Sequence, residues 1–248
     1  MSAVRRCRLD QLLLERGFVQ SRAKAQALIV AGLVFSDGQR LDKPGQSVPV
    51  DIAVEVREPS SPYVSRGGIK LARGLDHFGL DPGGMVAIDL GASTGGFTDV
   101  LLQRSARRVY AVDVGHGQLD WRLRNEPRVV VLERTNARYL SRDLIPELVD
   151  LVVCDASFIS LKVVLPAALQ LTQPRACLLA LIKPQFEVGK GMVGKGGVVR
   201  DPALHAAVCA EIARWLADEQ GWPVLGVTES PITGPKGNRE FLIAARRP

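Results

Sequence analysis

Residues 87–97 have the sequence Ala87-Ile88-Asp89-Leu90-Gly91-Ala92-Ser93-Thr94-Gly95-Gly96-Phe97. The mostly apolar run over residues 85–90 predicts a buried strand. After the turn, a helix is predicted whose apolar side carries Phe97, Val100 and Leu101. A strand, a glycine turn and a helix form ligand pockets in α/β sheets, because glycine permits close approach and the helix start offers unpaired N–H groups. This stretch therefore predicts an α/β fold with a cofactor pocket at the turn.

A second predicted strand, Arg108 to Asp113, ends in a carboxylate at about the ~20-residue offset from which an acid reaches a ribose diol. Two cofactor classes fit this arrangement, the nicotinamide or flavin dinucleotides and S-adenosylmethionine. The dinucleotide fingerprint requires Gly-x-Gly-x-x-Gly, but Ser93 stands where the second glycine would let a pyrophosphate approach. S-adenosylmethionine has no phosphate, so the turn favours it. A tight turn without any ligand is compatible with the same residues.

The rest of this region alternates strand-like and helix-like patterns. Five parallel strands are predicted at 85–90, 108–113, 129–132, 148–155 and 177–183, and strands at 222–228 and 240–245 close the sheet, the last of them antiparallel. The runs near the middle are apolar on both faces, which is typical of central parallel strands. A helix is predicted over residues 202–220, with Asp201 as its N-cap. The prediction is a doubly wound, seven-stranded sheet.

The composition is that of a globular chain, with 46% hydrophobic and 23% charged residues. No membrane span is expected, because apolar runs such as residues 176–182 fall far short of the ~20 residues required. No signal peptide is visible. The histidines are isolated, and the cysteines lack metal-ligand spacing: Cys7, Cys154, Cys177 and Cys209. We therefore expect a reduced cytoplasmic protein without disulfides or a metal site.

Residues 8–56 predict a small, separate module. A first helix is stopped by Gly17, and Ser21 is the N-cap of a second helix over residues 22–31. Asp37-Gly38 predicts a hairpin turn, and the alternation of apolar residues over 50–56 predicts a half-buried strand. Two short helices and a few strands bury only a thin core.

The formal net charge of the chain is +6, and its excess of positive charge is concentrated in residues 1–24. Only Asp10 and Glu15 oppose the basic side chains there. The basic side chains are Arg5, Arg6, Arg8, Arg16, Arg22 and Lys24. A local basic surface of this kind is suited to a polyanionic partner.

The sequence of this module resembles the α-L RNA-binding module found in a small-ribosomal-subunit protein, pseudouridine synthases and tyrosyl-tRNA synthetases. The resemblance rests on Arg8-Leu9-Asp10-Gln11-Leu12-Leu13, Glu15-Arg16-Gly17, Ser21-Arg22-Ala23-Lys24-Ala25, Ile29, Gly32-Leu33-Val34 and Gly38. It implies that the basic helix pair lies on an RNA backbone. We predict an RNA-binding domain over residues 6–58, a proline- and serine-containing linker over 59–64, and a second domain over 65–248.

Four charged residues are predicted at separate element ends of the second domain. Asp155 and Lys183 end neighbouring strands, Glu240 begins the antiparallel strand, and Lys70 lies on the helix before the first strand. Ligands of open α/β sheets bind outside the carboxyl ends of the strands. The fold would therefore bring two lysines and two carboxylates together beside the glycine turn.

Five motifs of the second domain resemble the TlyA family of ribosomal RNA cytidine 2′-O-methyltransferases, which are related to the FtsJ group and are also called haemolysin A. The motifs are Ser65-Arg66-Gly67-Gly68-Ile69-Lys70-Leu71, the stretch from Asp89 to Thr98, Cys154-Asp155-Ala156-Ser157-Phe158-Ile159-Ser160, Leu181-Ile182-Lys183-Pro184-Gln185-Phe186-Glu187 and Gly237-Asn238-Arg239-Glu240-Phe241. The resemblance implies a Rossmann-like methyltransferase sheet, ribosomal RNA or a ribosomal subunit as partner, and a catalytic tetrad of Lys70, Asp155, Lys183 and Glu240. The S-adenosylmethionine site that it implies consists of Gly91, Ala92, Ser93, Thr94, Gly95, Gly96, Phe97, Asp113 and Asn136.

The chemistry suits these residue types, because a ribose 2′-hydroxyl attacks well only when its proton is removed. Lysine is ordinarily protonated at neutral pH, so Lys183 would act as a base only where desolvation or a cation such as Lys70 favours its neutral form. A charged Lys183 that stabilises a developing alkoxide is the alternative role. Two other function classes also remain open for the chain, a non-catalytic ribosome-assembly factor and a membrane-active haemolysin.

Overall fold

The computed structural model describes residues 5–30, 32–56, 62–189, 191–194 and 196–248. The chain divides into two compact units, Met1–Pro62 and Tyr63–Pro248. Residues 59–61, half of the predicted linker over residues 59–64, lie outside the described residues, as does Ala31 at the end of the second predicted helix.

The smaller unit contains two helices that pack on short strands. Leu9, Leu13 and Ile29 are fully buried and form the centre of its core. Its elements are β1 (Arg6–Arg8), α1 (Leu9–Glu15), α2 (Arg22–Val30), β2 (Val34–Ser36), β3 (Gln39–Arg40), β4 (Ser47–Pro49) and β5 (Glu55–Val56). Strand β1 pairs with β4, and β2 lies between β3 and β5. Its turns and caps follow the sequence, since Gly17 and Gly38 have positive φ and the Ser21 hydroxyl accepts from the backbone of Lys24.

The predicted strand over residues 50–56 is wrong. Only Glu55 and Val56 pair in a sheet, while the Ile52 amide donates to the Pro49 carbonyl in a turn. The guanidinium of Arg16 donates to the carbonyls of Val50 and Ile52, the latter at 2.6 Å. An arginine therefore satisfies the carbonyl groups that a strand would have given to a neighbouring strand.

The larger unit is built around one sheet of seven strands, as the sequence predicts. Its strands are β6 (Val86–Leu90), β7 (Arg108–Val112), β8 (Val129–Leu132), β9 (Val149–Cys154), β10 (Thr172–Ile182), β11 (Val224–Glu229) and β12 (Phe241–Arg246). The spatial order is β11-β12-β10-β9-β6-β7-β8. The five strands from β10 to β8 are parallel, whereas β12 is antiparallel to both of its neighbours. The predicted doubly wound fold is confirmed.

Helices cover both faces of this sheet. They are α3 (Gly67–Phe78), α4 (Gly96–Gln103), α5 (Trp121–Arg124), α6 (Leu161–Val164), α7 (Pro166–Gln170), α8 (Pro184–Glu187) and α9 (Pro202–Arg214), and a π-helical turn over Trp215–Glu219 extends α9. Successive strand residues alternate between two apolar cores. Ile88 and Leu178 lie in one core, whereas Ala87 and Leu179 lie in the other. Burial on both faces explains why these strands are uniformly apolar.

Among the described residues, none of the helices combines the length and the apolar character that crossing a membrane requires. The described residues also contain no group of three or more histidine, cysteine, aspartate or glutamate side chains arranged to hold a metal ion.

Candidate active site

The four charged residues meet at the carboxyl edge of the parallel strands. Asp155 follows β9, Lys183 follows β10, and Glu240 precedes the antiparallel β12, so each lies one residue outside the strand that was predicted to contain it. Asp113 follows β7 in the same way. Pro184 ends the β10 segment because it cannot donate to a sheet and instead begins α8. Because these residues lie just outside the strands, their side chains do not have to point into either of the two apolar cores.

Lys70 connects the two carboxylates of this cluster. Its Nζ lies 2.6 Å from Glu240 Oε2 and 3.8 Å from Asp155 Oδ2. The side chain of Glu240 is fully buried and that of Lys70 is 9% exposed. Charges this deep in a protein persist only when they are paired, so each of the two residues requires the other.

Lys183 completes the cluster from the end of β10, the strand that lies between β9 and β12. Its Nζ forms an ion pair with Asp155 Oδ1 at 2.6 Å and donates to the Asp155 carbonyl at 3.2 Å. It also donates to Ser157 Oγ at 2.8 Å. Ser157 is a residue that sequence reasoning missed, although it lies only two positions after Asp155 in the same motif.

Gly234 makes room for Glu240. A Cβ atom on Gly234 would lie 2.1 Å from Glu240 Oε1, which is closer than non-bonded atoms approach. The sequence gives little indication of this role, because Gly234 belongs to a loop without periodicity. A side chain at this position would push the carboxylate away from Lys70.

The glycine turn has the strained backbone that its residues suggest. Gly91 and Gly95 have φ of 79° and 97°, and Ser93 has φ of 48°. The Asp113 carboxylate stabilises the turn, accepting from the Ser93 amide at 2.8 Å and from the Gly115 amide at 2.6 Å. Gly95 serves packing, since a Cβ atom there would lie 2.3 Å from the Leu123 side chain.

Two cavities lie on either side of Asp155. One, of about 340 Å³, is lined by Lys70, Lys183 and the turn residues Ala92, Thr94, Gly96 and Phe97, among others. The second, of about 440 Å³, is lined by Asp113, Asn136 and apolar side chains that include Val114 and Ile159. Both cavities are bordered by Gly91, Ser93, Asp155 and Ser157. The predicted cofactor residues other than Gly95 thus line one or the other of these two adjoining cavities, as do Lys70, Asp155 and Lys183, whereas Glu240 is buried behind Lys70 and lines neither.

The second cavity suits a nucleoside. Asp113 has a carboxylate for a diol, the apolar walls suit a flat base, and the amide of Asn136 lies at the rim. The Asn136 oxygen accepts from the Arg138 backbone at 3.1 Å and from its guanidinium at 3.2 Å. The remaining amide group of Asn136 is a donor.

Asp89 lies inside β6, and its side chain is fully buried. Burial raises the pKa of the Asp89 carboxyl to about 7; the Thr98 hydroxyl, which donates to it at 2.7 Å, lowers the pKa, and the charge of Asp155 raises it. Burial also raises the pKa of the Cys154 thiol to about 12. Cys154 is therefore a neutral thiol near neutral pH, and it is a poor nucleophile.

Two basic residues of the smaller unit, Arg8 and Arg22, share one carboxylate as their protein partner. Asp10 is fully buried and accepts from Arg8 at 2.9 and 3.0 Å, from Arg22 at 2.9 Å and from Gln26 at 2.9 Å. The Arg8 guanidinium is the largest of the causes that hold the pKa of Asp10 well below its usual range. One buried carboxylate thus fixes two exposed arginines.

The other predicted RNA-binding residues differ in their surroundings. Arg6 donates to the Ser47 carbonyl at 2.6 Å, while Arg16 holds the turn that replaces the predicted strand. Arg5 and Lys24 are exposed. Arg5, Arg6, Arg8 and Arg16 line one surface cavity of this unit. The cationic surface is present, although Arg16 also serves the fold.

Family models match both units. The model of the FtsJ-like methyltransferase family matches residues 63–247, and that of the S4 domain matches residues 7–51. The sheet order and the site at its carboxyl edge agree with the first match. The larger unit is therefore a methyltransferase domain of the FtsJ-like class, with an S4 domain preceding it.

Individual relatives refine this class. A protein of Mycobacterium tuberculosis named "16S/23S rRNA (cytidine-2'-O)-methyltransferase TlyA" is 51% identical over 98% of this chain and 90% of its own length. "Hemolysin A" of Brachyspira hyodysenteriae is 39% identical over 95% of this chain and 98% of its own. A solved structure titled "Putative hemolysin from Streptococcus thermophilus" has a TM-score of 0.75 and 40% identity, and the match covers 99% of this chain and 90% of that one. The chain belongs to the TlyA family of FtsJ-like methyltransferases.

Proposed function

We propose that this protein transfers a methyl group from S-adenosylmethionine to the ribose 2′-hydroxyl of a cytidine in ribosomal RNA, in the cytoplasm. The observation that carries the proposal is the cluster of Lys70, Asp155, Lys183 and Glu240 beside the cavity that Asp113 and Asn136 line. The name of the Mycobacterium tuberculosis relative, at 51% identity, supports the reaction and the type of nucleotide.

The residues that would hold the cofactor fit its chemistry. Asp113 would accept from the ribose hydroxyls, Asn136 would donate to the base, and the turn from Gly91 to Phe97 would lie against the methionine portion. S-adenosylmethionine supplies, when bound, a methyl group on a positively charged sulfur. The neutral turn, without a phosphate-binding lysine, suits a ligand that already carries positive charge.

In this proposal Lys183 removes the proton of the attacking 2′-hydroxyl, and Asp155 holds the lysine in place through its carboxylate and carbonyl oxygens. Lys70 neutralises Glu240 and adds positive charge near Asp155. Most of the acceleration would come from this positioning, because a fixed hydroxyl and a fixed base replace an encounter in solution.

The smaller unit would bind the ribosomal RNA. Arg5, Arg6, Arg8, Arg22 and Lys24 offer cations to phosphates, and phosphate contacts position a protein on RNA without reading its sequence. The S4 match over residues 7–51 supports this assignment.

The experiment uses tritiated S-adenosylmethionine and separated, unmethylated ribosomal subunits. Label in RNA that resists alkaline hydrolysis as a dinucleotide establishes 2′-O transfer, and the labelled subunit identifies the substrate. Lys183→Ala should keep cofactor and RNA binding and lose transfer by roughly 10²- to 10⁴-fold. Absence of transfer by the wild-type protein, with cofactor and RNA bound, would contradict the proposal and favour the assembly-factor hypothesis. Leakage from liposomes would instead support the membrane-active hypothesis.

A further inference from the structure

The contacts of Lys183 are chemically unequal. Two of them are with the carboxylate oxygen and the carbonyl oxygen of Asp155, which carry no proton. The third is with the hydroxyl of Ser157, which accepts at 2.8 Å and is also able to donate. Ser157 is therefore the one partner among these that suits both the charged and the neutral form of the lysine.

This difference between the Asp155 oxygens and the Ser157 hydroxyl determines where the lone pair of a neutral Lys183 points. A neutral lysine keeps two N–H donors and gains a lone pair. Turning that lone pair toward either oxygen of Asp155 would place two electron-rich atoms against each other. One N–H thus stays with the Asp155 carbonyl and a second faces the carboxylate oxygen 2.6 Å away, so the lone pair faces the Ser157 hydroxyl.

Ser157 is also placed where a substrate would meet it. It is exposed, and it borders both the cavity that contains Lys70 and Lys183 and the cavity that contains Asp113. The side chain of Lys183, by contrast, is only 7% exposed. A hydroxyl that enters from solvent therefore reaches Ser157 more readily than it reaches the lysine nitrogen.

We propose that Ser157 relays the proton from the attacking ribose hydroxyl to Lys183, an inference that rests on the proposed function. The 2′-O–H bond breaks as its proton passes to Ser157 Oγ, while the proton of Ser157 passes to the lone pair of Lys183. The serine ends as a neutral hydroxyl, and the lysine ends as an ammonium group that donates to Ser157 and Asp155. Two protons move in one step, and Ser157 is a catalytic residue.

Three substitutions test the relay in the full-length protein. Ser157→Ala removes the hydroxyl, Ser157→Thr keeps it, and Ser160→Ala removes the neighbouring hydroxyl that donates to Glu187 at 2.6 Å and does not touch Lys183. We expect Ser157→Ala to lower the single-turnover rate about 10- to 100-fold with cofactor affinity retained, and Ser157→Thr to restore most of the rate. Ser160→Ala controls for loosening of the same loop.

Two further readouts separate a relay from a structural role. Single-turnover rates in mixtures of H₂O and D₂O should follow a two-proton curve in the wild type, lying below the straight line that joins the rates in the pure solvents. In Ser157→Ala the rates should fall on a straight line. Without cofactor or RNA, acetic anhydride should modify Lys183 faster in Ser157→Ala than in the wild type at the same pH, because the lone pair is then uncovered. Modification is quantified by mass spectrometry.

The outcomes are distinct. A wild-type protein that transfers no methyl group contradicts the proposed function itself. A wild-type protein that transfers it with a linear isotope dependence, or a Ser157→Ala variant with the wild-type rate, overturns the relay alone. A slow Ser157→Ala variant that threonine does not rescue, with unchanged modification of Lys183, also overturns it and assigns Ser157 a structural role.

Discussion

Both units pair two cations with carboxylates that include a fully buried one, Asp10 or Glu240, but they use different cations. In the smaller unit, fully buried Asp10 binds the exposed Arg8 and Arg22. In the larger unit, Asp155 and Glu240 bind two lysines that are themselves almost buried. Arginine keeps its charge at any ordinary pH, whereas lysine gives up its proton when its surroundings favour the neutral form. The first arrangement is suited to holding an anion, and the second to moving a proton.

Replacing lysine with arginine in the larger unit should give the largest effect on activity, and the reverse exchange in the smaller unit is its matched comparison. Lys183→Arg keeps positive charge beside Asp155 but cannot accept a proton, so we expect methyl transfer to fall about 10²- to 10⁴-fold. The matched exchange Arg22→Lys should change RNA affinity by less than about threefold, because a cation remains beside Asp10. Single-turnover methylation and filter binding measure the two effects. Substantial activity in Lys183→Arg would show that the lysine acts through its charge.

Removing the carboxylate of the smaller unit should loosen its helices. Asp10→Asn leaves one acceptor oxygen for the four N–H donors of three side chains, so we expect the free energy of opening of α1 and α2 to fall by about 1–3 kcal/mol. Because the pKa of Asp10 is lowered in the folded state, the wild type has this stability above about pH 4 and loses it as the pH falls further. Amide hydrogen exchange of α1 and α2 measures the change, and unaltered exchange would contradict it.

Asp89 offers the opposite pH dependence, since no cation of the described residues is paired with it. Its pKa is raised to about 7, so the unfolded chain releases this proton at lower pH than the folded one does, and stability falls as pH rises from roughly 4 to 7. Asp89→Asn keeps an acceptor for Thr98 and removes this dependence. We compare the unfolding temperature of the variant with that of the wild type at each pH. We expect this difference to be more favourable to the variant at pH 8 than at pH 4, by a few degrees. Calorimetry without cofactor tests this.

The smallest expected effect distinguishes an RNA-binding role from a structural role for two basic residues of the smaller unit, Lys24 and Arg16. Lys24→Ala should reduce the salt dependence of RNA binding, lowering the slope of log affinity against log salt by roughly 0.7 without affecting stability. Arg16→Ala should instead destabilise the smaller unit by about 1 kcal/mol, because the carbonyls of Val50 and Ile52 lose their donor. Equal changes in slope for both variants would mean that Arg16 contacts phosphate directly.

The features that the sequence predicts well are local or repeated. The strand, turn and helix around Gly91 need only neighbouring residues, and the uniformly apolar strands follow from burial on both faces. Asp155, Lys183 and Glu240 could be assigned to one edge because parallel strands end together. Their separation from Lys70 could not be predicted to an ångström, since it depends on how α3 packs on the sheet.

The errors and omissions arise from interactions between distant residues. The alternation over residues 50–56 predicts a strand, but Arg16 binds its carbonyls from 34 and 36 positions away. Gly234 is needed only because Glu240 folds back against it. Ser157 stands in a motif that could be quoted from the sequence, yet its role depends on where Lys183 Nζ comes to lie, 26 residues later.

The pairing of Lys70 with Glu240 joins residues 170 positions apart in the chain. A ribosome that adds about 5–20 residues per second needs roughly 10–30 s to pass from one to the other. Once residue 183 has been added, the nascent chain contains the complete glycine turn and three of the four charged residues, Lys70, Asp155 and Lys183. At that point β12 has not yet been made. Lys70 therefore lacks the nearer of its two carboxylates, that of Glu240, until residue 240 has been added. The four-residue cluster can therefore form only after residue 240 has been synthesised.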